Sequence, residues 1–477
     1  GGAGRGAKDE QIMTIMPYSL LAHKPGFPAK GRLRGADVFI YQALRNSIGT
    51  DDALRNFVKR VFGRGVNIGV LPNLGGSYDG TTQLDTLTRL SIAFLDGFKD
   101  TNPGIDREKN VVSPCPMLTQ ELATDIYRYL FQYYDAMPIQ AFTNYLLILI
   151  NLELFNYTLK LVNAINALVH SPDTLPLAML EQKHASPPQL YVDFTDSGIG
   201  YSQEMAKACV RRDIETYQRF LTSTLLLRQL DSYVDKLKRN PRYKVDVEKF
   251  LRQGELSGNH YLQSLLLLQN DSIIGLGIDA LASLDEDRIR TENTHDGDED
   301  DPDALRFLDA ITGEAEGSVE RVIALLVEGQ KENAIKNLMQ WHMGVGGLKK
   351  QDGLLRGSST NRKSWRYAPT NNLLAVLVQL AAARQKTTTS QDGEHRDVQP
   401  IRLQDFLHFL EERFGILVDR PPDQFEGAEY AAAARENLSA MLGKLRQMGI
   451  FRDLSDDFTV QRLHPPYASK DLTRAEV

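Results

Sequence analysis

The chain has 477 residues, of which 42% are hydrophobic and 25% are charged, and its formal net charge is −7. This length allows roughly two to four domains with large cores, and the net charge excludes a generally basic nucleic-acid coat without excluding a local basic patch. The two cysteines, Cys115 and Cys209, lie far apart and form no CxxC pair. This usage is typical of free thiols in a reducing cytoplasm.

Residues 1–110 predict a small region of mixed α/β structure. Ala36–Tyr41 and Val66–Leu71 have the length and apolar content of short strands, and Thr86–Phe98 has the apolar spacing of a helix. Gly1–Glu10 is rich in glycine and charge and has no apolar run behind it, so we expect no signal peptide. The free cysteines and the expected absence of a signal peptide together predict a cytoplasmic location.

Residues 111–343 predict a helical core. Its long apolar segments at helical spacing include Tyr145–Val169, Gln203–Arg239 and Ser318–Trp341. The first of these is long enough to span a bilayer, but it contains Glu153, Lys160 and several asparagines, which are costly in lipid. We therefore expect a buried core helix and no contact with a membrane.

The stretch Asp285–Asp303 differs abruptly in composition from the helical core around it. It contains ten acidic residues against Arg288 and Arg290. The alternating aspartates suggest a calcium loop, but the sixth position is Asp301 where an EF-hand needs glycine. The composition instead predicts a disordered acidic insert that could be deleted without loss of stability.

Residues 344–370 predict a basic linker. It carries Lys349, Lys350, Arg356, Arg362, Lys363 and Arg366, with Asp352 as its single acid. Trp365 and Tyr367 lie beside these cations, so the segment has the chemistry of a surface that contacts phosphates and stacks on bases. A solvated, flexible connector explains the same composition, and both interpretations remain open.

Residues 371–477 predict three helices followed by a two-stranded wing. The helices are Leu373–Ala383, Leu403–Phe414 and Glu429–Met448. Two strand candidates, Ile450–Phe451 and Phe458–Val460, flank a polar turn. This order is the plan of a winged-helix domain, so the predicted fold is mainly α, with a helical core before a winged-helix-like domain.

A winged helix normally lays its third helix in the major groove of DNA. Here that helix carries Arg435, Lys444 and Arg446 against Glu429 and Glu436. The whole span 401–477 holds ten basic and thirteen acidic residues, whereas a DNA reader is usually more basic. DNA binding and protein assembly therefore both remain open as roles for this domain.

The sequence Asp196-Ser197-Gly198-Ile199-Gly200 resembles the adenine-binding box of the GHKL ATPases. The resemblance implies that Asp196 would accept the adenine amino group, that Gly198 and Gly200 would let the backbone approach the nucleotide, and that Asn163 would hold magnesium. The chain departs from the family pattern where a glutamate is expected four residues before the asparagine, since that position is Leu159 or Val162. The alternative is a structural turn after a strand.

No HxxxH or HExxH motif and no Cys/His cluster occurs in the sequence, and the nine histidines are scattered. Ser197 is not in the Gly-x-Ser-x-Gly context of a nucleophile elbow. We therefore expect no metal, no cofactor and no catalytic residue.

Several blocks together resemble accessory, non-nuclease proteins of bacterial modification-linked anti-phage systems, such as the methylation-associated defence systems. The blocks are Tyr191–Thr195, Cys209–Asp213, Trp365–Asn371, Arg413–Val418 and Phe458–Leu463. The resemblance implies a non-catalytic, cytoplasmic subunit of a multiprotein restriction-type assembly. Its implied partners are the other subunits, an ATPase or a nuclease, together with DNA.

Overall fold

The computed structural model describes residues 36–49, 53–54, 66–68, 76–78, 113, 115–134, 136–171, 187–251, 258–296, 299–348, 353–384, 398–452 and 461–468. Within them the fold is mainly helical, as predicted. The helices are α1 (Ala36–Ile48), α2 (Pro116–Tyr133), α3 (Ile139–His170), α4 (Tyr201–Arg239), α5 (Lys244–Leu251), α6 (Gly258–Gln269), α7 (Ile274–Thr294), α8 (Pro302–Thr312), α9 (Ser318–Gly346), α10 (Asn371–Arg384), α11 (Leu403–Phe414) and α12 (Ala428–Gln447).

The strands are short and form two-residue or three-residue pairs. They are β1 (Val66–Ile68), β2 (Gly76–Tyr78), β3 (Leu190–Tyr191), β4 (His295–Asp296), β5 (Glu299–Asp300), β6 (Leu355–Arg356), β7 (Arg366–Tyr367), β8 (Ile401–Arg402), β9 (Ile416–Leu417) and β10 (Arg462–Leu463). All described pairs are antiparallel except β3 with β9, which is parallel.

The prediction of a strand at Ala36–Tyr41 is wrong, because these residues begin helix α1. The helix buries Ala36, Ile40 and Leu44, which recur every four residues and pack with α2. A window of six residues cannot separate this period from an alternating strand. The predicted strand beginning at Val66 is present as β1, and Thr86–Phe98 lies outside the described residues.

Three long helices cross two hydrophobic cores. The larger core takes the first part of α3 and α4 and the end of α9, together with α1, α2, α10, α11 and α12. The smaller core takes the end of α3, the second half of α4 and the start of α9, together with the start of α2 and helices α5, α6 and α7. Because α3, α4 and α9 each contribute side chains to both cores, the two cores share a continuous helical frame.

Helix α3 is the one described helix that is long and apolar enough to cross a membrane. In the fold, 72% of its most apolar window is buried inside the protein, as expected of a core helix. Its charged residues are buried as well: Lys160 is 3.3 Å from Glu121 on α2, and Glu153 accepts a hydrogen bond from Arg413 on α11.

Arg413 is the centre of a buried ion-pair network that fastens α11 to α2 and α3. Its guanidinium lies 2.7 Å from Asp125, 3.0 Å from Glu121 and within hydrogen-bond distance of Glu153. Arg384 at the end of α10 adds a second contact to Asp125 at 2.8 Å. Burial raises the pKa of the Glu153 carboxyl well above its usual range, although Arg413 opposes that shift. Removing one partner from such a network leaves buried charges uncompensated, which is strongly destabilising.

A short parallel contact links the middle of the chain to its last quarter. Leu190 and Tyr191 of β3 pair with Ile416 and Leu417 of β9. Gly415 ends α11 with a φ of 69°, and a Cβ atom there would lie 2.2 Å from the carbonyl oxygen of Pro188. Only glycine fits both requirements, the left-handed backbone and the close approach of the chain before β3.

The three predicted C-terminal helices are present as α10, α11 and α12, each within two residues of the predicted bounds. Strand β8 precedes α11 and pairs antiparallel with β10, and Phe451 forms a further bridge to Leu463. The predicted strand Phe458–Val460 and the turn before it lie outside the described residues.

The prediction of a disordered insert at Asp285–Asp303 is wrong for its first half, because helix α7 continues to Thr294. Asp285 and Glu286 are buried. Glu286 pairs with Arg290 at 3.0 Å and with Arg321 of α9 at 2.8 Å, and Asp285 accepts a hydrogen bond from Gln229 of α4 at 3.0 Å. These acids are therefore buried anchors of α7, whereas composition alone indicated repulsion between solvated charges.

Candidate nucleic-acid and partner interface

The turn Asp193–Gly200 connects strand β3 to the long helix α4, and Asp193 fixes its shape. The carboxylate of Asp193 is buried, and its Oδ1 atom accepts hydrogen bonds from the Thr195 backbone N–H at 3.1 Å, the Thr195 hydroxyl at 2.7 Å and the Ser202 hydroxyl at 2.8 Å. One carboxylate oxygen therefore holds both the turn and the first helical turn of α4.

Asn437 of α12 holds the same turn from the other side. Its side chain is fully buried; it accepts from the Phe194 N–H at 2.6 Å and donates to the carbonyl oxygens of Val192 at 2.8 Å and Val418 at 3.0 Å. These backbone groups lie just beyond the paired residues of β3 and β9, so the side chain of Asn437 supplies the hydrogen bonds that strand pairing does not. Helix α12 is thereby fixed against the strand ends.

Two of the predicted basic residues converge on this turn. Arg366, on strand β7, places its Nε atom 3.8 Å from Asp193 Oδ2. Lys444, on α12, places its ammonium 2.6 Å from Asp196 Oδ2 and 5.8 Å from the centre of the Phe194 ring. The predicted basic linker and the predicted third helix, which are far apart in sequence, therefore meet at residues three apart in one turn.

The other predicted basic residues differ in their surroundings. Arg362 and Lys363 are exposed on the loop between β6 and β7, and Arg435 is exposed on α12. Arg446 is exposed and lies over the Phe451 ring at 4.9 Å. Arg356 is half-buried and faces Arg366 across the β6–β7 pair, and Lys349 and Lys350 lie outside the described residues.

The prediction that Trp365 and Tyr367 form a stacking surface is wrong, because the structure buries both side chains. The indole N–H of Trp365 donates to the Ser358 carbonyl oxygen at 2.7 Å. The Tyr367 hydroxyl donates to Asp213 Oδ2 at 2.6 Å, inside the core. The aromatic pair therefore anchors the β6–β7 hairpin and cannot meet a base.

His342 lies at the centre of an aromatic box beneath this hairpin. The rings of Phe155, Tyr217, Trp365 and Tyr367 surround it at centroid distances of 5.3 to 6.3 Å. The imidazole is fully buried, and neither of its nitrogens has a hydrogen-bond partner. Burial without a partner lowers the pKa of His342 to about 4, so the ring is neutral at pH 7.

The structure separates the two halves of the ATPase-like pattern. Asn163 donates to the Leu159 carbonyl oxygen of its own helix, and Asn166, one turn on, donates to the Thr216 carbonyl oxygen of α4. Ser202 begins α4 beside the turn that carries Asp196, and Thr216 lies about 21 Å farther along the helix. Asp196 is held by Lys444, with a φ of 52°, and Gly198 and Gly200 also have positive φ. Asn163 and Asp196 therefore do not face a common site.

The described residues contain no group of three His, Cys, Asp or Glu side chains that could hold a metal ion. Both cysteines are buried and free. Burial raises the pKa of Cys115 to about 12 and that of Cys209 to about 11, so both remain protonated thiols at pH 7.

Sequence reasoning missed Asn437, Asp193 and the Arg413 network. Two signals were present: Glu153 and Lys160 interrupt an otherwise apolar helix, and a polar Asn437 lies on the apolar face of α12 between Ala434 and Met441. A polar residue at a core position needs a partner, but a single sequence does not indicate which residue supplies it.

Comparison with known families gives a match over nearly the whole chain. The family described as methylation-associated defense system protein MAD7 matches residues 3–467. The chain belongs to the MAD7 family. No curated protein and no solved structure matches it.

Four of the five sequence blocks that resemble defence-system proteins meet at one place in this MAD7-family chain. The Tyr191 N–H contacts Cys209 Sγ at 3.4 Å, and the Asp193 N–H donates to the Tyr367 carbonyl oxygen at 2.8 Å. The Val192 N–H donates to the Leu417 carbonyl oxygen at 3.2 Å. The blocks therefore form the packed support beneath the Asp193–Gly200 turn.

Proposed function

We propose that this MAD7-family chain is a non-catalytic subunit of its defence system that contacts DNA and other subunits of the assembly. Membership of the family supplies the defence role and implies partners within that system. The chain works in the bacterial cytoplasm, where the DNA to be engaged is found. Its own contribution is to present a surface, and the reactions of the system belong to its partners.

The order of elements in the last quarter supports a winged-helix arrangement. A first helix, α10, is followed by strand β8, helices α11 and α12, the bridge at Phe451 and strand β10. Strand β8 pairs with β10, so the strands before the second helix and after the third lie together. In such domains the third helix enters the major groove. Arg435 and Arg446 are exposed on α12.

The observation that carries the proposal is the convergence of two basic segments on the Asp193–Gly200 turn. Arg366 reaches Asp193 and Lys444 reaches Asp196, so the β6–β7 hairpin and α12 flank the same turn. Arg362 and Lys363 are exposed at the end of that hairpin. We call Arg362, Lys363, Arg435 and Arg446 the basic rim. Among the described residues of the two basic segments, these four are exposed to solvent and can meet phosphates, whereas Arg366 and Lys444 pair with carboxylates.

The test is the salt dependence of duplex binding by the full chain. Each phosphate contact adds about −0.9 to the slope of log affinity against log salt. Arg362→Ala with Lys363→Ala should therefore flatten the slope by about two units and leave sequence preference unchanged, because phosphates carry no base information. Arg228→Ala with Lys336→Ala, two exposed cations on α4 and α9, is the matched control and should keep the parent slope.

Two results would count against DNA contact. The first is that the parent chain shows no salt-dependent binding to duplex DNA, and the second is that the hairpin variant and the control variant have the same slope. In either case the C-terminal helices would be assigned to protein assembly. Co-purification with the other subunits, comparing the parent with an Arg435→Ala, Arg446→Ala variant, would then test that role directly.

A further inference from the structure

Helix α7 exposes a row of apolar side chains on the face that points away from the protein. Ile273 lies just before the helix, and Leu276, Ala280 and Leu284 follow at spacings of three and four residues. At 100° per residue these four side chains fall within an arc of about 80°. The exposed fractions are 50% for Ile273, 68% for Leu276 and 65% for Leu284. We call these four residues the α7 stripe.

Helix α7 cannot rotate to bury the α7 stripe. The opposite face of α7 buries Ile274, Ile278 and Ala282 against the smaller core. The same inner face carries Asp285 and Glu286, which pair with side chains of α4 and α9. Rotation would pull these ion pairs apart, so the outward orientation of the stripe is fixed. Contiguous exposed apolar residues of this kind mark interaction sites.

Charge around the α7 stripe restricts what can cover it. Asp279 and Asp287 are exposed next to the stripe, and no ion pair to either is found among the described residues. Beyond Leu284, Glu292 is exposed as well, and Arg288, the exposed cation at this end of the stripe, already pairs with Asp285 and Glu292. A second copy of the chain would present the same acids across a twofold contact, where like charges oppose association.

We propose that the α7 stripe is the docking site for an amphipathic helix of a partner protein, with an apolar face bordered by lysine or arginine. The apolar face covers Leu276 and Leu284, and the basic border meets Asp279 and Asp287. Helices that bind a partner through an apolar face contact it with residues spaced three, four and seven apart. The site lies at the far end of α4 from the Asp193–Gly200 turn, so it is independent of the proposed DNA contact.

The experiment uses the full chain and two labelled peptides of about 18 residues, one an amphipathic helix of Leu and Lys and the other its Leu and Glu counterpart. Fluorescence anisotropy at low salt should show binding of the Lys peptide only. Leu276→Ser with Leu284→Ser should weaken that binding by at least about 100-fold, since each buried leucine is worth roughly tenfold or more. Asp279→Asn with Asp287→Asn should weaken it by about tenfold and reduce its salt dependence.

Matched controls separate this site from non-specific binding. Ile199→Ser removes an isoleucine that is 81% exposed at the other end of α4, and it should leave binding unchanged. Equal binding of both peptides, or equal binding by the parent and the Leu276→Ser, Leu284→Ser variant, would overturn the proposal. So would a dimer in sedimentation velocity that this double variant dissociates, because the occupant would then be a second copy. Circular dichroism of each variant should match the parent, since every changed residue is exposed.

Discussion

His342 is a buried histidine whose environment offers only aromatic rings. The groups that face it are Phe155, Tyr217, Trp365 and Tyr367, and the Tyr367 hydroxyl is already engaged with Asp213. Among the residues that the structure describes, no charged side chain contacts the ring to stabilise an imidazolium. The folded protein therefore binds a proton at His342 only near pH 4, whereas the unfolded chain binds it near pH 6.5.

We expect this difference to make the protein less stable as the pH falls from about 6.5 to about 4. In that window the unfolded state holds the proton and the folded state does not, so stability rises with pH. Below pH 4 the free energy of unfolding should be lower by roughly 3 kcal/mol than at pH 7. His342→Phe should flatten this part of the stability profile, measured by urea unfolding at a series of pH values. A stability profile that His342→Phe leaves unchanged between pH 4 and pH 6.5 would contradict this assignment.

Asn437 is a second residue whose substitution should have a large effect. Asn437→Ala removes the partner of the Phe194 N–H and of the Val192 and Val418 carbonyl oxygens, which are all buried. Leaving these groups unpaired should lower the free energy of unfolding by about 3 kcal/mol. Ser439→Ala, one half-turn along α12 at an exposed position, is the control and should change it by less than about 0.5 kcal/mol. Equal effects of the two substitutions in urea unfolding would refute the role given to Asn437.

At the scale of elements, α7 shows why composition misleads. A run of ten acids predicts disorder only if all of them need water. Asp285 instead accepts a hydrogen bond from Gln229 of α4, and Glu286 pairs with Arg321 of α9 and with Arg290 of its own helix. Which acids are solvated depends on the rotation of the helix, and that rotation is set by Ile274, Ile278 and Ala282 upstream.

We therefore expect the acidic stretch to divide into two classes. Asp285→Ala with Glu286→Ala removes the carboxylates that hold Gln229 of α4 and Arg321 of α9, and it should lower the free energy of unfolding by about 2 to 4 kcal/mol. Asp287→Ala with Glu292→Ala removes exposed acids from the same helix and should change it by less than about 1 kcal/mol. Thermal unfolding of the two double variants is the measurement. If the Asp285→Ala, Glu286→Ala variant is as stable as the Asp287→Ala, Glu292→Ala variant, the acids of Asp285–Asp303 do not stabilise the fold and this expectation is wrong.

The elements that periodicity predicts well are the long ones. Tyr145–Val169, Gln203–Arg239 and the three C-terminal helices were predicted because their apolar spacing persists over several turns. The candidate site was predicted only in pieces. The sequence predicts Arg366 and Lys444 as nucleic-acid contacts on two separate segments, and Asp196 only as part of the nucleotide-binding alternative. Nothing in a single sequence indicates that β7, the Asp193–Gly200 turn and α12 come together. That proximity depends on Asn437, Asp193 and Gly415, whose partners lie up to 245 residues away.

At the scale of the whole molecule, the two cores are joined by α3, α4 and α9 without a break. Because each of these helices has buried residues in both cores, loss of one core removes the support of the other. We expect one cooperative transition in urea. The two tryptophans, Trp341 and Trp365, both belong to the larger core, whereas circular dichroism records helices of both. The fluorescence and circular dichroism curves should coincide, and a separate earlier step in circular dichroism would show that the cores unfold independently.

Helix α4 also has a mechanical consequence. Its 39 residues form a rod about 58 Å long, with the Asp193–Gly200 turn at one end and the contacts to Asp285 of α7 towards the other. Gln229, which contacts Asp285, lies about 40 Å along this rod from Ser202 at the turn. Because buried side chains along α4 belong to both cores, the rod cannot tilt without repacking them, and this separation is fixed. Helix α4 is therefore a spacer of set length that keeps a partner helix on α7 apart from a duplex at the turn.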